Sequence, residues 1–148
     1  MPKKASRTSR GTGLAILLVD DDAGDCRLVQ ESLKDSKRVS SLHIVNSGDE
    51  ALSYLKKAKA SQRPDIVLLD INMPGKDGFA TLKEIRAQDS LTHLPVVMLT
   101  TSTDEGDIQE SYRLHANSFV SKPSGFGAFG EAVREIEAYW ADTASLPS

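Results

Sequence analysis

Three short apolar runs constrain this chain more than any other feature: LAILLV at 14–19, IVLL at 66–69 and VVML at 96–99. None contains a polar residue, and turn signals bound each one. A run of that length without alternation reads as a strand buried on both faces, the pattern of a parallel sheet covered by helices. The residues that end the runs matter as much. The first stops on Asp20, Asp21 and Asp22, the second on Asp70, the third on Thr100 and Thr101. Pro64 opens the central stretch, and Pro74, Gly75, Asp77 and Gly78 turn the chain just beyond it. Taken alone, Asp70 is as well explained as a turn or helix-capping aspartate. An aspartate at the C-terminal end of a buried strand also lies where open α/β sheets bind their ligands.

Helical patterns fill the gaps. Asp22 is placed to cap a helix whose apolar side is Leu28, Val29 and Leu33. Ser47 and Glu50 have capping-box spacing before Ala51, Leu52 and Leu55, and Ser102 and Glu105 repeat it before a more polar helix running to about 114. Residues 79–88 carry Phe79, Leu82 and Ile85 on one side, and 126–140 carry Phe129, Val133, Ile136 and Tyr139 or Trp140. Shorter strand candidates lie at 42–45 and 117–121, the latter ending on Lys122-Pro123. Strand and helix therefore alternate throughout. The expected fold is α/β: a flavodoxin-like, doubly wound five-stranded parallel sheet in order 2-1-3-4-5 with helices on both faces. Residues 1–13 read as a flexible basic tail, 14–141 as the domain and 142–148 as a C-terminal tail, with no output domain.

Composition narrows the function classes. With 148 residues the chain holds one domain with a real core, and its net charge of −3 argues against nucleic acid as the main partner. No apolar run reaches membrane-spanning length, and the basic start (Lys3, Lys4, Arg7, Arg10) lacks the apolar stretch of a secretory signal. Cys26 is the single cysteine, so a reducing cytoplasm is the default expectation. His43, His93 and His115 are scattered and have no metal-ligand spacing.

In order 2-1-3-4-5, strands one, three, four and five are neighbours. Their ends gather Asp20, Asp21, Asp70, Thr100 and Lys122 at one edge: three carboxylates, a hydroxyl and an ammonium. Crowded carboxylates repel one another unless a cation sits among them, and all-oxygen ligands suit a hard ion such as Mg²⁺. With charge neutralised by the ion on one side and Lys122 on the other, a carboxylate can attack phosphorus. Each residue has a plainer role when taken singly: the acids as a turn and cap, Thr100 and Thr101 as helix caps, Lys122 as a surface lysine. Their joint placement favours the chemical reading.

VDDD, LLDINMPGKDG, MLTTS and FVSKP, in that order, resemble the receiver domain of two-component response regulators, over about 14–140. The resemblance implies that Asp70 accepts a phosphoryl group from a histidine kinase. Asp21 would be a direct Mg²⁺ ligand, Asp20 would act through water, and the backbone carbonyl of Asn72 would add a ligand. Thr100 would be the switch hydroxyl and Lys122 the phosphoryl contact, with the Lys122–Pro123 bond cis. Phe119 falls at the aromatic switch position, where many members have Tyr. A narrower resemblance, in LTTSTDEGDI, YRLHANSFVSKP and IEAYWADTASLP, is to the single-domain regulators that accompany phytochrome-type photoreceptor kinases. It implies such a kinase as partner, signalling by contact with a downstream protein, and a homodimer through helix four, strand five and helix five. Phe126, Phe129, Tyr139 and Trp140 are candidates for that face, or else they close the core. Two other readings fit less well. A haloacid-dehalogenase-type phosphatase needs a carboxylate at Asn72, and a flavin carrier needs a phosphate cradle where Asp20, Asp21 and Asp22 stand.

Overall fold

The order of elements follows from the alternation of apolar runs and amphipathic stretches. In the computed structural model, which describes residues 13–146, the strands are β1 (Leu14–Val19), β2 (Val39–Val45), β3 (Ile66–Leu69), β4 (Val96–Thr100) and β5 (Ser118–Ser121). The helices are α1 (Ala23–Leu33), α2 (Gly48–Lys57), α3 (Gly78–Ala87), α4 (Glu105–Arg113) and α5 (Phe126–Ala138). The basic residues of the expected N-terminal tail lie outside the described residues. All strand pairs are parallel, and the sheet order is 2-1-3-4-5.

The two-residue period of a strand splits the apolar runs between two cores. Leu17, Val19, Val67, Leu69, Val96 and Met98 face one side, where they meet Leu52 and Leu55 of α2 and Leu82 and Ile85 of α3. Leu14, Ile16, Leu18, Ile66, Leu68, Val97 and Leu99 face the other, against Val29 and Leu33 of α1 and Phe129, Val133 and Ile136 of α5. Burying such a side chain is worth about 1.5–3 kcal/mol. The cores therefore hold β1, β3 and β4 from both sides, and only their ends are left to bind anything. β2 begins three residues before the expected 42–45. As an edge strand it leaves Ser40, Ser41 and His43 exposed, so its sequence lacks a continuous apolar run.

Capping follows the sequence at two helices and departs from it at a third. Asp22 Oδ1 accepts the Asp25 N–H, and Ser47 Oγ accepts the Glu50 N–H. At α4 the cap is Asp104, which accepts from the Asp107 N–H, in place of the expected Ser102. Ser102 Oγ instead donates to Asp107 Oδ2 and accepts from the Asp104 N–H, bracing the loop before the helix. An aspartate two residues closer to the helix supplies the same acceptor with a full charge at its positive end.

The four aromatics assigned to one face separate in the structure. Phe129 is buried in the α1–α5 core and Trp140 packs partly against it. Phe126 is 83% exposed and lies beside Arg27, Leu28 and Arg134, toward α1. Tyr139 and Trp140 line a groove with Val120 and Ile136 along β5. Helical geometry explains the split, because Phe126 and Tyr139 stand at opposite ends of α5, thirteen positions apart, and so fall on nearly opposite sides of the helix.

Beyond α5 a π-helical turn (Tyr139–Thr143) continues the chain. Arg38 bonds both Glu137, at 3.2 Å, and Asp142, at 2.5 Å, and Leu146 is buried in the α1–α5 core. Residues expected as a tail from 142 thus add to the core as far as 146. Leu146→Ala is expected to cost about 2–3 kcal/mol, the loss for a buried leucine that leaves a cavity. Urea unfolding checks this; a change below about 0.5 kcal/mol, the range of surface substitutions, would mean the segment contributes no packing.

Candidate functional site

Register brings the strand ends together. Val19 pairs with Leu69, and the Asp70 N–H donates to Val19 O at 3.0 Å, so Asp20 and Asp70 stand side by side past the last pair. Thr100 pairs with Ser121, and the Lys122 N–H donates to Thr100 O at 2.6 Å. Asp20, Asp70 and Thr100 are buried, whereas Asp21 and Asn72 are exposed. Phe119, on β5, is half-buried and packs against the α2–α3 core.

Carboxylate oxygens of Asp20, Asp21 and Asp70 lie within 4.8 Å of one another. Lys122 answers this charge from β5. Its ammonium donates to Asp20 Oδ2 and to Asp25 Oδ2, each at 2.7 Å, and stands 3.6 Å from Asp70 Oδ2. The side chain is only 4% exposed, so these contacts are not diluted by water. Burial by itself pulls the Lys122 pKa down. Its hydrogen bonds to Asp20 and Asp25, with the charges of Asp20 and Asp70, outweigh that and hold the ammonium above its ordinary range. Asp20 is pushed up, chiefly by burial, against the opposing pull of Lys122 and the Asp22 N–H. Both Asp20 oxygens are engaged, Oδ1 by the Asp22 N–H and Oδ2 by Lys122. Asp70 Oδ1 is buried and accepts no hydrogen bond. A buried carboxylate oxygen without a donor is costly. It is the observation that fits this donor set to a divalent cation, which takes oxygen ligands and would satisfy it.

The loop after β3 is shaped by a close approach. The Gly78 N–H donates to Ile71 O at 2.8 Å, and a Cβ at Gly78 would stand 2.3 Å from Asp70 O. Only glycine lets α3 begin this close to the strand end, with Asp77 as its cap. On the far side, the Thr100 hydroxyl accepts only a long bond, 3.4 Å, from the Ser102 N–H. Ser121 Oγ donates to Ser102 O at 2.9 Å, tying the β4–α4 loop to β5.

Two sequence expectations change here. The described residues contain no cis peptide bond, so Lys122–Pro123 is trans. Trans is the intrinsic preference of an X-Pro amide by about 0.5–1 kcal/mol. Gly125 takes φ 91° just before α5, and Lys122 reaches the acids without a cis bond. The second change is an addition, Asp25. It sits on the first turn of α1, four and eight residues before the buried Val29 and Leu33. A carboxylate on the inward stripe of a helix was the available signal.

The family profile described as response regulator receiver domain matches residues 16–134. A parallel sheet with this strand order and this acidic edge is the architecture of that class, and the chain belongs to the response regulator receiver domain family. It is similar to Response regulator Rcp1 of Synechocystis sp., 41% identical over 136 residues, which is 90% of this chain and 92% of Rcp1. Among solved structures it is similar to the phosphorylated cyanobacterial phytochrome response regulator RcpA, with TM-score 0.86 and 40% identity, covering 92% of this chain and 99% of that one. The Mn²⁺-bound form of Rcp1 matches with TM-score 0.82 and 40% identity over 91% and 99% of the two chains. Among the described residues, no helix is long and apolar enough to cross a membrane.

Two outcomes follow. Gly78→Ala pushes a methyl into the Asp70 backbone, so divalent-metal affinity is expected to fall at least about tenfold, the size of effect seen when residues supporting a metal's ligands are lost. Calorimetric titration of the metal reads this, and unchanged affinity would contradict the steric account. Cys26 Sγ donates to Asp20 O, and burial, helped by the Asp20 charge, pushes its thiol up to about 11 from 9.0. A raised thiol pKa keeps the native group protonated at pH 8, so iodoacetamide should label it only after unfolding in urea. Fast labelling of the native protein would contradict this.

Proposed function

We propose that this chain is a phospho-receiver that takes a phosphoryl group from a histidine kinase onto Asp70. The observation that carries the reading is Asp70 Oδ1, buried and without a hydrogen-bond donor, in a carboxylate whose other oxygen faces the Lys122 ammonium. A carboxylate that is buried yet not consumed by structural bonds is free to act as a nucleophile. An Asp70 oxygen attacks the phosphorus of a phosphohistidine. The P–O bond forms, the P–N bond breaks, and the imidazole leaves with a proton. Lys122 stabilises the charge on the phosphoryl oxygens in flight, and the Thr100 hydroxyl, little engaged at rest, turns to donate to one of them.

Asp21, Asp70 and the Asn72 carbonyl would hold Mg²⁺, with Asp20 acting through water because its own oxygens are already bonded. When bound, that ion supplies charge neutralisation among the acids and to the phosphoryl oxygens. Inward movement of Thr100 leaves space into which Phe119 repacks, and this shifts the face formed by α4, β5 and α5 between two states. Reversing a 1:99 population requires the phosphoryl group to favour the active state by about 5.5 kcal/mol.

The similarity to the cyanobacterial phytochrome response regulator RcpA supports a phytochrome-type kinase as donor. Output would then pass by contact with a downstream protein in the cytoplasm. A homodimer through α4, β5 and α5 would use the groove lined by Val120, Ile136, Tyr139 and Trp140.

Intact mass after incubation with acetyl phosphate tests the chemistry. A single phosphoryl adduct that needs Mg²⁺ and vanishes in Asp70→Asn is expected. An adduct of equal yield in that variant would place the acceptor elsewhere.

A further inference from the structure

Lys122 carries one inference beyond the receiver chemistry, and it rests on that reading. An ammonium has three donors. Two are spent on Asp20 Oδ2 and Asp25 Oδ2, both at 2.7 Å, while Asp70 Oδ2 stands at 3.6 Å, outside hydrogen-bond reach. The cation is therefore drawn toward the first turn of α1 and away from the nucleophile. Asp25 itself has little freedom. Its N–H is held by Asp22 Oδ1, and its helix packs on α5 through Val29 and Leu33.

We propose that Asp25 is a positioning residue that restrains the Lys122 ammonium and competes for it with a phosphoryl group on Asp70. Two effects act in the same direction. The Asp25 carboxylate takes up one of three ammonium donors, and it adds a negative charge beside the place where a dianion must arrive. Around this one ammonium stand three carboxylates: Asp20, Asp25 and Asp70. Asp20 and Asp70 are buried and belong to the reaction itself. Asp25 is on a different element, has a side chain 27% exposed and, among the described residues, makes its one polar side-chain contact with Lys122. Its removal leaves the acids that hold the metal in place and frees the cation to move toward Asp70. The sign of the effect sets Asp25 apart from an ordinary helper, because neutralising it strengthens the binding of a phosphoryl group. By the same argument it lengthens the life of the acyl phosphate, since a lysine committed to the phosphoryl oxygens steadies the ground state.

Beryllofluoride, a phosphoryl stand-in that binds a free aspartate in the presence of Mg²⁺, is the probe. It is titrated into the full chain and into Asp25→Asn, Asp25→Ser and Asp25→Glu, with Mg²⁺ affinity measured first in each. Asp25→Asn and Asp25→Ser are expected to bind it about three- to tenfold more tightly, the range for a partly exposed charge a few ångströms away. Asp25→Glu, which keeps a carboxylate within reach of Lys122, returns toward wild type. A second readout needs no analogue: the ¹H–¹⁵N signal of the Lys122 ammonium shifts in metal-free Asp25→Asn and is restored in Asp25→Glu. Beryllofluoride bound equally or more weakly by Asp25→Asn overturns the inference, and so does a drop in thermal stability with affinity unchanged, which would make Asp25 structural only. Wild-type protein that binds Mg²⁺ but no beryllofluoride overturns the phosphoryl-site reading, and this inference falls with it.

Discussion

Carboxylates forced together at the ends of β1 and β3 are the constraint on which the rest of this structure depends. The parallel register leaves Asp20 and Asp70 no room to separate, and Asp21 adds its charge from the next position. One buried ammonium, Lys122, opposes them. A buried ion cluster of this kind is weak evidence for stability, because desolvating the charges costs as much as their attraction returns. The apolar cores carry the fold, and the strand ends are where that stability is spent on an unfavourable charge arrangement. Such clusters of perturbed groups mark sites of chemistry.

The elements around the cluster explain its shape. Strand order 2-1-3-4-5 places four contributing strands next to one another, so no loop must reach across the sheet. Residues 14–19, 66–69 and 96–99 are clamped from both faces, which fixes the positions of the acids to within the rigidity of a packed core. Mobility is left to the loops. The β4–α4 loop is held by Ser102, Asp107 and Ser121, a set of neutral or partly exposed bonds that can rearrange at modest cost. Phe119, on the neighbouring β5, is half-buried against the α2–α3 core, neither locked in it nor free in solvent. A site built from a rigid floor and an adjustable rim can pass a local change in charge to a distant face.

Much of this was legible in the residues. Continuous apolar runs ending on Asp20, Asp70 and Thr100 defined buried parallel strands, and the helical stripes between them defined the two covering layers. What was missed has physical reasons. The start of β2 is polar because an edge strand is half solvated. The cap of α4 went to Asp104 because two acceptors competed and spacing alone did not rank them. Packing of Leu146 depends on the Arg38 bonds to Glu137 and Asp142, contacts between distant parts of the chain. The trans Lys122–Pro123 bond departs from what the family resemblance implied, and local spacing gave no separate signal for either isomer. Asp25 ends no strand, so the strand-end pattern does not include it, although its place on the inward stripe of α1 sets it apart.

The most direct measurement of this account is urea unfolding of wild type and Asp70→Asn across a Mg²⁺ series that begins in chelator. If crowded carboxylates are the constraint, Asp70→Asn unfolds at higher urea than wild type without metal. Wild type then gains about 1.4 kcal/mol for each tenfold rise in Mg²⁺ above its dissociation constant. The variant gains much less. Wild-type stability that ignores Mg²⁺, or an Asp70→Asn protein less stable than wild type in chelator, would contradict the account.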